Sequence, residues 1–136
     1  RSTAEELLGG VPNIRLIAPL DAVDMHRLMA RSYMVMTDSG GIQEEAPALG
    51  KPVLVLRRET ERPEAVTAGT VKLAGTETEN IYRLAAELLD DPAAYDRMAR
   101  AVNPYGDGRA CPRIAQAILS HFLPDAQPPE PFAPAH

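Results

Sequence analysis

Apolar positions fall along this chain in two rhythms. Residues 34–36 (Met-Val-Met) and 53–56 (Val-Leu-Val-Leu) are unbroken apolar runs. Each is too short for a helix and the right length for a strand buried on both faces. Residues 13–18 (Asn-Ile-Arg-Leu-Ile-Ala), closed by Pro19, read as another strand, and residues 70–73 as a fourth. Between and after them the spacing lengthens to that of helices. Residues 2–8 read as a helix ended by Gly9-Gly10. Asp21 suits the cap of a helix that places Met25, Leu28 and Met29 on one side and ends near Arg31-Ser32.

The pattern continues in the same way. Residues 40–49 are helix-length but contain Pro47, where a lost backbone hydrogen bond predicts a bend at a cost of about 3 kcal/mol if uncompensated. Residues 63–69 predict a short helix with Pro63 at its first position and Gly69 after it. Thr76-Glu77-Thr78-Glu79 has the form of a capping box. The helix behind it carries Ile81, Leu84, Ala85, Leu88 and Leu89 as one broad stripe. Asp91-Pro92 opens a helix running to about Val102, residues 103–108 form a turn-rich loop, and Pro112 opens a last helix with Ile114, Ala115, Ile118, Leu119 and Phe122 on one side. Five of the thirteen residues from Pro124 to His136 are proline, so residues 124–136 are expected to be extended or disordered. About four strands alternating with helices predict a Rossmann-like α/β domain over residues 1–123, its parallel sheet covered by helices on both faces.

Composition narrows the function classes. A chain of 136 residues can bury one core. The net charge is −5 and the 14 basic residues do not cluster, so a nucleic-acid role has no electrostatic footprint. Cys111 is the single cysteine and has no internal disulfide partner. No apolar run is long enough to cross a membrane and no signal peptide is seen, so a cytoplasmic setting is the default expectation. His26, His121 and His136 do not share a metal-binding spacing, and Cys111 has no evident base, so neither a metal site nor a nucleophile is expected. No cofactor is expected.

The chemistry concentrates where the strand at residues 34–36 ends, in Thr37-Asp38-Ser39-Gly40-Gly41. The carboxyl ends of parallel strands are where open α/β sheets bind ligands. Two glycines let a ligand approach the backbone closely, and the free amides of the helix they open favour an anion such as phosphate. Ser39 adds a hydroxyl donor. A carboxylate about a turn and a half later, Glu44 or Glu45, can accept the two hydroxyls of a ribose. The same spacing equally fits an ordinary capped helix, with Ser39 as cap and the glutamates easing the dipole.

Four blocks in order settle a resemblance. They are Thr37-Asp-Ser-Gly-Gly-Ile-Gln-Glu-Glu-Ala-Pro, Leu49-Gly-Lys-Pro-Val-Leu-Val, Thr60-Glu-Arg-Pro-Glu-Ala-Val-Thr-Ala-Gly-Thr and Asn103-Pro-Tyr-Gly-Asp-Gly. From about Asn13 to about Leu119 the chain resembles the bacterial non-hydrolysing UDP-N-acetylglucosamine 2-epimerase family. That resemblance implies a GT-B architecture of two Rossmann-like halves facing across a cleft. This chain corresponds to the later part of the second half, starting inside the helix before its third strand. The implied ligand is a UDP-sugar nucleotide. The implied reaction is the interconversion of UDP-N-acetylglucosamine and UDP-N-acetylmannosamine by elimination of UDP and re-addition at C2, in the supply of cell-envelope polysaccharide.

The resemblance also assigns residues. Ser39, Gly40 and Gly41 match the diphosphate turn, Glu45 the carboxylate that holds the ribose, and Arg62 an arginine reaching the nucleotide. A loop arginine paired with Glu61 or Glu64 is the alternative for Arg62, and Glu44 reads as solvent-facing or structural. Leu20 and Met25 fall in the implied uracil pocket. Family members can have glutamine and an aromatic residue at these two places, and a core role is the alternative for both. The acid/base carboxylates are implied on the first half, and a histidine and an arginine for the diphosphate just upstream of Arg1. The chain alone is therefore expected to be inactive: the UDP-binding part of an isomerase, or a non-catalytic UDP-binding remnant or partner-dependent half-enzyme. A homodimer or a chain carrying the first half are the implied partners, because the last helix packs on the first domain in that family.

Overall fold

A computed structural model describes residues 3–132. Its centre is a three-stranded parallel sheet of β1 (Val35–Thr37), β2 (Val53–Val55) and β3 (Val71–Leu73), in the order β1-β2-β3. Val35 stands opposite Val53, and Val53 opposite Val71. Seven helices surround it: α1 (Thr3–Leu8), α2 (Ala22–Arg31), α3 (Gly40–Ala48), α4 (Pro63–Ala68), α5 (Thr78–Asp90), α6 (Pro92–Ala99) and α7 (Ala110–Phe122).

The strands are three residues each, and their side chains fill two cores. In β2, Val53 and Val55 turn into one cluster with Met29 of α2, Ala46 of α3, Ala65 of α4 and Val71. Leu54, between them, turns the other way into a cluster with Ala74, Leu84 and Leu88 of α5 and Met98 of α6. Alternation along one strand thus joins two apolar layers. The parallel α/β sheet with helices on both faces is as expected, but its strand count is three. Residues 13–18 carry no strand and their apolar side chains Ile14, Leu16 and Ile17 are exposed. A strand needs a neighbour to pair with, and among the described residues the sheet runs only β1-β2-β3, so residues 13–18 have no ladder to join.

Local signals acted mostly as written. The Asp21 carboxylate accepts from Asp24 N at 2.9 Å and caps α2, and Asp91 accepts from Ala93 N at 2.8 Å and caps α6. Gly69 closes α4 with φ of 81°, a conformation that a side chain would strain. Pro47 lies in the last turn of α3, where it has no N–H to donate to the Gln43 carbonyl, and the helix ends one residue later at Ala48. The capping box at residues 76–79 did not form. The cap position is Glu77 and makes no side-chain cap bond; its carboxylate reaches Arg58 at 2.9 Å instead. Helix α6 ends at Ala99 rather than near Val102.

The α7 stripe of Ile114, Ile118, Leu119 and Phe122 is exposed, Phe122 by 73%. Residues 124–132 carry no helix or strand and lie along another side of α7, where Gln116 Nε2 donates to the Gln127 carbonyl and the Arg113 guanidinium sits 5.6 Å from the Phe132 ring centre. The remaining tail residues 133–136, including His136, and residues 1–2 lie outside the described residues.

The two-layer core gives a direct test. Leu88 is fully buried whereas its neighbour Leu89 is 60% exposed. Leu88→Ala should lower unfolding free energy by about 3 kcal/mol, from lost burial plus the cavity left behind. Leu89→Ala should cost less than about 0.5 kcal/mol. Urea denaturation of the two variants checks both; equal effects would contradict the assigned layers.

Candidate functional site

Parallel strands send all their carboxyl ends to one edge of the sheet, and the polar machinery of this chain collects there. From β1 the backbone passes through Asp38 and Ser39 into α3. From β2 it enters residues 56–62, and from there α4. Ser39 N donates to Thr37 Oγ1 at 3.0 Å, which fixes the exit from β1. Ser39 is the cap residue of α3, yet its hydroxyl makes no cap bond. The ordinary capped-helix interpretation therefore does not describe this turn: the Ser39 hydroxyl is not engaged by the helix it precedes.

A Cβ at Gly40 would lie 2.6 Å from Glu61 Oε1, the tip of a half-exposed side chain that can move aside, so the loop after β2 comes within contact of the turn. Arg57 donates to that Glu61 carboxylate at 2.9 Å. The Glu61 carboxyl is held below the ordinary carboxylate range, first by its own backbone amide and then by Arg57 and Arg62.

Helix α3 carries three polar residues in a row with three different jobs. Gln43 is fully buried; its Oε1 accepts from Thr60 Oγ1 at 2.6 Å, and its Nε2 has no partner among the described residues. Thr60 Oγ1 in turn accepts from Arg62 N at 3.1 Å, so the loop is pinned from the helix. Glu44 accepts from Arg62 Nε, and this pair raises the Arg62 pKa further. Arg62 thus pairs with neither the Glu61 nor the Glu64 carboxylate; it donates Nη1 to the Glu61 carbonyl at 3.3 Å. Glu45 lies on the same helical face as Gly41, one turn on. Its Oε1 is 3.7 Å from where a Cβ on Gly41 would stand, and its Oε2 accepts from His26 Nε2 at 2.8 Å.

Ser39, Gly40, Gly41, Glu45 and Arg62 therefore share one end of the sheet. The two residues expected at a uracil pocket, Leu20 and Met25, are separated. Met25 packs against the core cluster beneath α3. Leu20 lines an open groove of about 700 Å³ with Ile17, Asp24, Arg27, Leu28 and Arg31, on the flank of α2 turned away from His26. Sequence reasoning missed Gln43, Thr60, His26 and Tyr105. A glutamine between Ile42 and two glutamates looks solvated by pattern, and the His26–Glu45 pair spans 19 residues, beyond any local spacing rule. Among the described residues no group of three potential metal ligands occurs, and no helix is long and apolar enough to cross a membrane.

The loop at residues 103–108 closes the near side. Tyr105 packs against the first core cluster with its hydroxyl buried and unpartnered among the described residues. Burial pushes its phenol up to about 12, and the Glu64 and Glu44 carboxylates add to the effect. Asp107 grips Arg113 of α7 through two 2.7 Å contacts, which hold the Asp107 carboxyl well below the usual carboxylate range, with the Arg109 amide contributing.

Comparison with known proteins gives a consistent picture. The family profile described as UDP-N-acetylglucosamine 2-epimerase matches residues 1–119. The UDP-N-acetylglucosamine 2-epimerase of Bacillus subtilis is 53% identical over 132 residues, covering 97% of this chain and 35% of that protein. That of Escherichia coli K12 is 53% identical over 123 residues, covering 90% of this chain and 33% of that protein. The S. aureus MnaA-UDP co-structure superposes with a TM-score of 0.89 at 51% identity, covering 96% of this chain and 36% of that one. The Neisseria meningitidis UDP-GlcNAc 2-epimerase bound to UDP-GlcNAc superposes with a TM-score of 0.80 at 52% identity, covering 85% of this chain and 32% of that one. The chain thus spans about a third of the length of the relatives it matches.

The buried phenol predicts a specific alkaline behaviour. A folded pKa raised from the ordinary 10 to about 12 means that Tyr105 contributes stability in full below pH 10 and loses it as pH rises through about 12. Tyr105→Phe should change neutral-pH stability by no more than about 1 kcal/mol, the net worth of one hydroxyl hydrogen bond. It should also flatten the alkaline decline. Tyr95, likewise raised by burial, contributes to what decline remains. Denaturation at stepped alkaline pH, with phenolate absorbance as a second readout, checks this.

Proposed function

This chain belongs to the UDP-N-acetylglucosamine 2-epimerase family, and on that premise we propose that its sheet end seats the diphosphate and ribose of a UDP-linked sugar. One observation carries the reading: the Gly40-Gly41 turn at the end of β1 and the Glu45 carboxylate stand side by side, with Glu45 Oε1 3.7 Å from the Gly41 Cβ position. A diphosphate docked on the opening amides of α3 places its ribose within reach of that acid. The free Ser39 hydroxyl supplies a further donor. The UDP and UDP-GlcNAc complexes of the S. aureus and N. meningitidis proteins support this choice of ligand.

The contribution of this chain to the epimerisation follows from charge. Elimination of UDP puts developing negative charge on the departing diphosphate. Fixed amide donors at the start of α3, and the Ser39 hydroxyl, stabilise that charge without having to reorganise. Arg62 stands one pair away, held by Glu44. Arg57 neutralises Glu61, so the seat does not face a bare carboxylate. The proton transfers at C2 need acid/base groups, which the family resemblance assigns to the first half of the whole enzyme. In that role the chain is an isomerase component that binds and positions, and the exposed α7 stripe favours a partner-dependent half over a free-standing binding module.

Calorimetric titration with UDP is the test. The 136-residue chain should bind UDP more weakly than the whole enzymes do. Ser39→Ala and Glu45→Ala should each weaken binding by about tenfold, the order expected for losing a hydrogen bond to a charged group. Glu6→Ala, on the exposed helix α1, should have no effect. Silence of Ser39→Ala and Glu45→Ala would remove this assignment. The chain alone should not interconvert UDP-N-acetylglucosamine and UDP-N-acetylmannosamine, and turnover by the purified chain would refute the division of labour.

A further inference from the structure

We infer that His26 is a positioning residue: it fixes the Glu45 carboxylate for a ribose diol and so sets a preference for ribonucleotides over 2′-deoxyribonucleotides. The inference rests on the proposed UDP seat and adds a residue that the family resemblance does not assign. His26 lies on α2, on the flank turned toward α3. A carboxylate only accepts hydrogen bonds, so the 2.8 Å contact between His26 Nε2 and Glu45 Oε2 has the imidazole N–H as donor.

The geometry divides the labour between the two oxygens of Glu45. Oε2 is held by His26, while Oε1 faces the Gly41 turn, where the Cβ position is 3.7 Å away. An ionised carboxylate offers about four lone-pair positions. One imidazole donor therefore leaves acceptor capacity on both oxygens for two adjacent hydroxyls. What His26 removes is freedom. The Glu45 side chain is 46% exposed and that of His26 55%, so packing alone does not choose a Glu45 rotamer. Fixing that rotamer before the ligand arrives is preorganisation, which favours the ligand able to use both acceptor positions. No other cation competes for Glu45 in the contacts formed: Arg57 goes to Glu61, Arg58 to Glu77, and Arg62 to Glu44.

The neighbouring carboxylates sharpen the point. Glu44 and Glu61 each pair with an arginine, whose charge a diol would have to share. Glu45 is the one of these three acids whose partner is the His26 imidazole. A ligand with a single ribose hydroxyl gains little from such orientation, because one bond tolerates many rotamers. A ligand with two needs both acceptors at a fixed separation.

Titration of the chain with UDP and with 2′-deoxy-UDP tests this. The unaltered chain should prefer UDP. His26→Ala should weaken UDP by about three- to tenfold, the range for losing one orienting contact at a partly exposed site, and leave 2′-deoxy-UDP within about twofold. The preference then collapses. His26→Gln, whose Nε2 amide also donates at similar reach, should restore most of it. Equal weakening of both nucleotides by His26→Ala would show a merely structural role and overturn the inference. Tighter UDP binding would show that His26 competes with the ribose, and no change would show that it is idle; either result also overturns it. The underlying seat fails separately. If the unaltered chain does not bind UDP, or if Glu45→Ala is silent, the UDP assignment falls and this inference falls with it. If Glu45→Ala weakens UDP while His26→Ala does nothing, only the role of His26 is lost.

Discussion

The structure depends on β2 having no solvent-facing side. Val53, Leu54 and Val55 are all fully buried, the valines in one layer and the leucine in the other. Moving this strand by one residue would exchange the contents of the two layers. That constraint fixes β1 and β3 as parallel neighbours in a single register. It also fixes where the chain must leave the sheet after each strand. The polar turn after β1 and the loop after β2 meet at the same edge because the strands between which they run cannot slide. The shape of this edge is thus a by-product of core packing three residues deep.

Helix α3 converts that constraint into a site. It starts at the glycine turn, so its unpaired amides face the sheet edge. Its fourth to sixth residues then reach outward in three directions: Gln43 to Thr60, Glu44 to Arg62 and Glu45 to His26. One rigid element in this way holds the loop after β2 and the flank of α2 at the same time. Contacts of this kind hold the side chains around the glycine turn in fixed positions.

Much of this architecture was legible in the residues. The strand at 53–56 and the caps Asp21 and Asp91 follow rules that act over a few positions, and those rules held. So did the placement of the Gly40-Gly41 pair just after β1, where it opens α3. Features that depend on a partner elsewhere were not legible. Residues 13–18 alternate like a strand, yet a strand exists only where a neighbour offers a ladder. The capping box at residues 76–79 did not form because the helix opens at Thr78, which puts Glu77 rather than Thr76 in the cap position. A separation of 19 residues hid the His26–Glu45 pair, and nothing local marked Gln43 for full burial. Sequence spacing thus located the turn and its acids, but it did not show which of the acids were already engaged.

The arginines near the glycine turn are each matched by an acid: Arg57 by Glu61, Arg58 by Glu77, Arg62 by Glu44. The consequence is kinetic. An incoming polyanion meets local dipoles at close quarters and, farther out, the field of a chain with a net charge of −5, so its approach is not funnelled. Encounter then gains nothing from steering, and added electrolyte eases it by screening the repulsion. Selectivity at this edge is exercised after contact, in how long the visitor stays.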